Sequence, residues 1–342
     1  MNSSPLMDPK VSIIATFYNS VSLGNFVHKA MESLLSQTYT NLELICVNDG
    51  SKDDTLAQLK TYAAKDPRIV IIDKPNEGTA QYAKAAGQDA ATGELIMLFD
   101  HDDLLSPNAV AEAVDTFQKN PELDMVGMIV KTVYPDGKIK NIHSLHFSLQ
   151  NEADYKPLQI SGEDALRLTI GRYDFHFRGL YRRDIFKKVS FRFTEKLLNA
   201  DEIVERLILQ NVSAIGSCSG IYTHFVHPDS SAKAFNIKKT DLVATDMYMR
   251  RFARKNGIYK EREAVFELVA YKNLIDAMKA FRHFRKNLPP EERERQELRL
   301  QKAFSEIERA ILFKNFSGFV KRFHQVLLSN FNLFSLYYTF KK

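Results

Sequence analysis

The chain has 342 residues, 44% hydrophobic and 26% charged, an ordinary globular composition with room for two domains or for one large domain and an appendage. Its net charge of +5 is unevenly spread: residues 246–342 hold 21 Lys and Arg against 11 Asp and Glu, a surplus of +10 that leaves −5 on residues 1–245. The acidic front half argues against a nucleic-acid groove, the basic rear half suits an anionic partner, and two cysteines, Cys46 and Cys218, exclude a disulfide framework and a C-x-x-C site.

Val11-Ser12-Ile13-Ile14-Ala15 reads as a first strand, followed by a helix over 22–37 with Phe26, Ala30 and Leu34 on one face. Leu42 to Val47 reads as a second strand, 53–65 as a helix, Arg68 to Asp73 as a third strand and 79–91 as an Ala-rich helix. Leu95 to Phe99 is the fourth strand and Pro107 to Lys119 a further helix. This alternation predicts a parallel sheet wrapped by helices. Polar clusters recur at the strand ends: Thr16 to Asn19, Asn48 to Ser51, Lys74 to Gly78 and Asp100 to Asp103. In a parallel sheet those ends share one edge, where open α/β sheets bind ligands.

From residue 123 the rhythm changes. Strands are predicted over Asp124–Tyr134 and Lys138–His146, joined by the turn Pro135-Asp136-Gly137. Helices follow over 161–171 and 200–210, and strands over Phe175–Tyr181 and 213–226. From about 237 the pattern is almost wholly helical, with one break at Leu288-Pro289-Pro290-Glu291. The predicted division is an α/β domain over 1–235 and a helical region over 236–342. No apolar run approaches the ~18 to 20 residues of a membrane span, and Met1 to Lys10 holds no apolar signal core. The expectation is a cytoplasmic protein.

The most informative stretch is the fourth strand and the three carboxylates, Asp100, Asp102 and Asp103, that end it. Carboxylates this close repel one another unless a positive group lies between them. Their hard oxygens suit Mg²⁺ or Mn²⁺, ions commonly shared with substrate phosphates. The other reading is a loop that caps the helix entered at Ser106-Pro107.

The strand-end clusters are similar to those of family 2 glycosyltransferases, the inverting GT-A class. The residues that carry the resemblance are Val11 to Asn19, Val47 to Ser51 with Asp53 and Thr55, Asn76-Glu77-Gly78, Ala83 to Gly87, Thr92-Gly93-Glu94 and Phe99 to Asp103. The likeness is strong over the first ~105 residues and looser to about 227. It implies a GT-A fold with a Rossmann-like, mostly parallel sheet, and a metal-dependent inverting transfer from a UDP-sugar to a glycan or glycolipid hydroxyl. Lipooligosaccharide, O-antigen and capsule are the acceptors it suggests.

At matched positions the resemblance implies that Thr16, Tyr18 and Asp49 bind the uridine, with Asn19 also in the donor-nucleotide site. Asp49 would accept the uracil N–H, a role that suits a strand-end carboxylate. Asn76 and Gly78 would lie near the ribose and diphosphate. Lys84 stands where the family carries Arg, keeping the charge but losing the bidentate fork; it is either a diphosphate clamp or a solvated helix residue. Asp100 and Asp102 match the DxD pair that holds the metal, Mn²⁺ or Mg²⁺, and the donor diphosphate. His101 fills a variable, exposed position. Asp103 supports the loop or contacts a sugar, and Arg178 contacts the acceptor.

The family's catalytic base lies in an acidic pair after a Phe-Asp-Glu segment, and here Phe193 to Leu197 precedes Asp201-Glu202. Either carboxylate is a candidate, with Glu202 ahead by position; the structural alternative is charge at a helix N-terminus. His224 or His227 would complete the metal shell, and Phe225 to Lys233 would form a loop over the site. Residues 311–340 alternate aromatics with cations. That tail either lies on a membrane surface, making the protein peripheral, or packs on the catalytic domain or a second subunit. Two rivals remain: a catalytically silent nucleotide- or glycan-binding module, and a sugar nucleotidyltransferase. The second would carry a Gly-rich phosphate loop where this chain has Thr16 to Asn19.

Overall fold

The computed structural model describes residues 7–145, 147–171, 177–193, 197–227 and 235–340. The strands are β1 Val11–Phe17, β2 Leu42–Asp49, β3 Ile69–Lys74, β4 Leu95–Asp100, β5 Leu104–Leu105, β6 Met125–Val133, β7 Ile139–Ser144, β8 Phe147–Leu149, β9 Gln159–Ser161, β10 Gly179–Arg182 and β11 Ala214–Phe225. The helices are α1 Phe26–Leu35, α2 Thr55–Ala63, α3 Ala80–Ala90, α4 Ala109–Lys119, α5 Gly162–Thr169, α6 Arg183–Lys187, α7 Ala200–Gln210, α8 Lys239–Lys255, α9 Glu263–Phe284, α10 Pro290–Ser305, α11 Arg309–Leu312, α12 Gly318–Leu327 and α13 Phe331–Phe340.

All but three of the strands follow the sheet order β3-β2-β1-β4-β10-β6-β11-β5. The first four run parallel, and β10 is antiparallel to both β4 and β6. Every residue of β1 and β2 is buried, as expected of strands covered on both faces. Register sets Thr16 opposite both Val47 and Asp100, and Asp49 opposite Lys74. The four polar clusters therefore end on one edge, as their sequence rhythm predicts.

Two glycines allow close approaches near that edge. Gly50 has φ +68°, and a Cβ there would lie 2.5 Å from the backbone nitrogen of Asn76. A Cβ on Gly179 would lie 2.0 Å from the Val126 carbonyl oxygen, so the β10–β6 pairing requires glycine.

The opposite edge of the sheet holds a buried carboxylate on β2. Glu43 accepts hydrogen bonds from Ser12 Oγ, from the Thr92 amide at 2.6 Å and hydroxyl at 2.7 Å, and from the Gly93 amide at 3.1 Å. Lys10 Nζ lies 2.6 Å from its second oxygen. Burial pushes the Glu43 carboxyl up, but these donors outweigh it and bring the pKa down from 4.5 to about 2. Thr92 and Gly93, part of the family-like pattern, are thus structural.

The chain forms two compact units. One comprises the described residues of 1–169, 174–194 and 204–228; the other comprises those of 170–173, 195–203 and 229–342. Among the described residues the first unit runs to 227 and the second resumes at 235, and the short segment carrying Asp201 and Glu202 groups with the helical unit. That unit has its own core, including Met247, Leu274, Phe281, Leu300, Phe304 and Phe334. Inside it Arg250 pairs with Glu267 at 3.0 Å, while Tyr259 and the Glu308 amide donate to the same carboxylate. No helix among the described residues is long and apolar enough to cross a membrane.

Candidate active site

Asp49, the last residue of β2, is buried and held on both oxygens. Lys74 Nζ lies 2.8 Å from Oδ1, and Asn76 Nδ2 donates to Oδ2 at 2.9 Å and to the Asp49 carbonyl at 3.0 Å. The Gly78 amide donates to Asn76 Oδ1 at 2.8 Å, closing the turn. Each Asp49 oxygen keeps a further lone pair for a ligand N–H. Tyr18 is 41% exposed beside this edge. Asn19, at φ +49°, accepts from the Lys52 amide at 2.8 Å and braces the loop after β1.

Asp100, which ends β4, sits between two cations: Lys84 Nζ is 3.0 Å from Oδ1 and Arg178 Nη2 is 3.1 Å from Oδ2. Burial works to raise its pKa, but Lys84 and Arg178 overcome it and hold the carboxyl well below the usual carboxylate range. Lys84 is buried, so the solvated alternative is set aside. Arg178 is half-buried against Asp100, with its guanidinium 5.1 Å from the centre of the Tyr222 ring. Expected at the acceptor, it pairs here with Asp100.

Asp103 is 1% exposed. Tyr222 donates to its Oδ2 at 2.7 Å, the Phe225 amide donates to Oδ1 at 3.1 Å, and His224 Nδ1 is 3.1 Å from Oδ1. A carboxylate this buried and this fully engaged ties the loop to β11, the first of the two roles expected of it. His224, expected as a metal ligand, directs Nδ1 at Asp103.

His227 takes the position nearer Asp102, with Nε2 3.4 Å from Oδ2. That nitrogen is buried and makes no hydrogen bond. Burial, then the neighbouring charge of Asp103, pushes the Asp102 pKa up. Excess negative charge beside an unsatisfied imidazole nitrogen is a donor set that fits a divalent cation. Among the described residues no group of three or more His, Cys, Asp or Glu is assembled as a complete metal site. His101, expected to be exposed, is half-buried, its ring 5.7 Å from Phe26 and 6.1 Å from Phe17. Burial also lowers its pKa.

The profile of glycosyl transferase family 2 matches residues 12–190. The chain belongs to that family. It is 28% identical to the hyaluronan synthase of Pasteurella multocida over 95% of this chain and 31% of that one. It is 30% identical to the chondroitin synthase of P. multocida strain Pm70 over 79% of this chain and 27% of that one. The uncharacterized glycosyltransferase YibD of Escherichia coli K12 is 28% identical over 66% of this chain and 63% of its own. The chain thus spans less than two thirds of the length of each of these relatives.

Among solved structures, TarS 1–349 of S. aureus in complex with UDP-GlcNAc superposes with a TM-score of 0.60 at 18% identity, covering 86% of this chain and 87% of that one. The mannosyltransferase PcManGT of Pyrobaculum calidifontis, in complex with GDP-Man and Mn²⁺, gives 0.50 at 15% identity, covering 97% and 87%. At these identities the likeness carries the fold, which is GT-A.

In this family 2 chain Asp201 and Glu202 lie in the first turn of α7. Glu202 is buried at 1% exposure and Asp201 is half-buried. Residues 194–196 of the Phe193 to Leu197 segment, and 228–233 of the expected loop over the site, lie outside the described residues. Two contributors escaped sequence reasoning, Tyr222 and Lys74. Tyr222 alternates with His224 on the strand predicted over 213–226, so a period of two does place both on one face. Its partner Asp103 is 119 positions away, which no local pattern reveals.

Proposed function

We propose that the chain is a metal-dependent inverting glycosyltransferase that moves a sugar from a UDP-sugar to a hydroxyl of a surface-glycan acceptor. The observation that carries this reading is the shared edge on which a braced Asp49 and the cation-flanked Asp100-x-Asp102 both end. One suits an imide N–H and the other a diphosphate with its counter-ion. The complex of TarS with UDP-GlcNAc supports a UDP donor, and the relatives named for hyaluronan and chondroitin synthesis support a polysaccharide acceptor.

Asp49 accepts from the uracil while Lys74 and Asn76 fix its orientation, and Tyr18 covers the base. Thr16 lies between the two anchors in register. Lys84 and Arg178 orient Asp100 and offer positive charge to the diphosphate. A divalent ion, Mn²⁺ or Mg²⁺, held by Asp102 with His227 beside it, would supply Lewis-acid stabilisation of the UDP leaving group.

The acceptor oxygen forms its bond to the anomeric carbon from the face opposite UDP, the glycosidic C–O bond breaks with its electron pair leaving on UDP, and a carboxylate takes the hydroxyl proton. Asp201 is preferred over Glu202 for that proton, reversing the positional ranking. A base must reach a bound hydroxyl, and the Glu202 side chain is closed off by burial.

The test is a panel of UDP-sugars assayed for Mn²⁺-dependent transfer with Asp102→Ala, Asp201→Asn and Glu202→Gln beside wild type. Transfer abolished in Asp102→Ala and Asp201→Asn, with UDP still bound by the latter, is the expected result. UDP binding without turnover by wild type on any donor and acceptor would replace catalysis with a binding role. An active Asp201→Asn beside an inactive, folded Glu202→Gln would restore Glu202 as base.

A further inference from the structure

The C-terminal helices carry a feature that sugar transfer does not use. Residues 309–342 hold six Lys or Arg and no Asp or Glu. Helices α12 and α13 turn Leu327, Leu328, Phe334 and Tyr338 into the helical core. Their other faces are apolar as well. Phe319 is 82% exposed, Val326 61% and Leu336 54%, with Val320 and Leu333 also exposed.

Phe319, Arg322 and Val326 are spaced i, i+3 and i+7, one stripe along α12, while Phe323 packs against the helical core. On α13, Leu333 and Leu336 lie opposite Phe334 and Tyr338. Packing onto the core therefore explains only half of the aromatic and aliphatic residues here. A solvated helix face would not carry five exposed large apolar side chains, and exposed apolar groups rimmed by charge mark an interaction site.

The charge of this segment selects the occupant. Arg322 is exposed and Lys321 half-exposed, with no carboxylate in residues 309–342 to offset them, while the exposed Lys314 lies 3.6 Å from Glu263. A surface that pairs cations with shallow apolar groups complements anionic headgroups over acyl chains. With ten residues, α12 is about 15 Å long, enough to lie in an interface and too short to span one. We propose that the outer face of α12 and α13 docks on the surface of an anionic lipid bilayer, with Phe319 and Val326 inserted and Lys321 and Arg322 at the headgroups.

The experiment is co-sedimentation of the full chain with vesicles of phosphatidylcholine alone, or with about a third phosphatidylglycerol, at low and high salt. Wild type is expected to bind the anionic vesicles and to be released by salt. Phe319→Ser with Val326→Ser, and separately Lys321→Glu with Arg322→Glu, should each weaken binding about tenfold or more. Both pairs replace surface side chains, so UDP binding and melting temperature should match wild type. Equal binding to neutral and anionic vesicles overturns the proposal, as does charge-reversed protein that binds like wild type. A wild-type dimer that Phe319→Ser with Val326→Ser converts to monomer, with no vesicle binding, assigns the face to a second copy and overturns it too.

Discussion

Replacing Glu43 by Gln keeps the size of the side chain and removes its charge. In the fold that carboxylate is 7% exposed and receives Ser12, Thr92, Gly93 and Lys10. Its pKa falls from an ordinary 4.5 to about 2 despite burial. A shift of about 2.5 units, at roughly 1.4 kcal/mol each, corresponds to about 3 kcal/mol of stability from ionising Glu43 in place. Because the folded value is the lower one, this contribution is complete above pH 4.5 and disappears as pH falls through about 2. Urea denaturation of wild type and Glu43→Gln at pH 7, and then stepwise into acid, measures it. The expected gap is about 3 kcal/mol at pH 7, shrinking towards zero as the medium approaches the folded pKa. A gap below about 0.5 kcal/mol at pH 7, or one independent of pH, would refute the assignment of Glu43 as an ionised anchor.

Other substitutions probe the opposite edge. Gly50→Ala sets a Cβ 2.5 Å from the Asn76 nitrogen at φ +68°, so it should cost about 2–3 kcal/mol and weaken UDP binding, read by thermal melting and calorimetry. Tyr222→Phe removes a buried hydrogen bond to the Asp103 carboxylate without opening a large cavity, and a loss of about 2 kcal/mol is expected in chemical denaturation. Asp49→Asn presents an amide where a carboxylate accepts from the base; UDP affinity by titration calorimetry should fall about tenfold or more while the fold is kept.

Much of the α/β unit is legible in one dimension. Strands such as β1 and β2 are read from continuous apolar runs, and each cluster that follows is read as a strand end because polarity returns abruptly there. Boundaries shift at element ends: of the strand expected over Phe175–Tyr181, residues 175 and 176 lie outside the described residues and the strand observed is Gly179–Arg182, while the helix over 22–37 shortens to Phe26–Leu35 behind the left-handed Asn25. Asp49 and the Asp100-x-Asp102 pair are marked by type and position. Thr92-Gly93 carries the same kind of motif signal, yet it serves the far edge through Glu43.

By itself the sequence determined the alternation of strands and helices, the edge on which the acidic and Asx residues gather, and the family. Those follow from local periodicity and from the parallel direction it imposes. Only the tertiary structure decided which charge meets which: Lys84 and Arg178 on Asp100, Tyr222 and His224 on Asp103, and His227 beside Asp102. Such pairings join residues up to more than a hundred positions apart, and their energies depend on burial and distance, which no residue carries in its own identity.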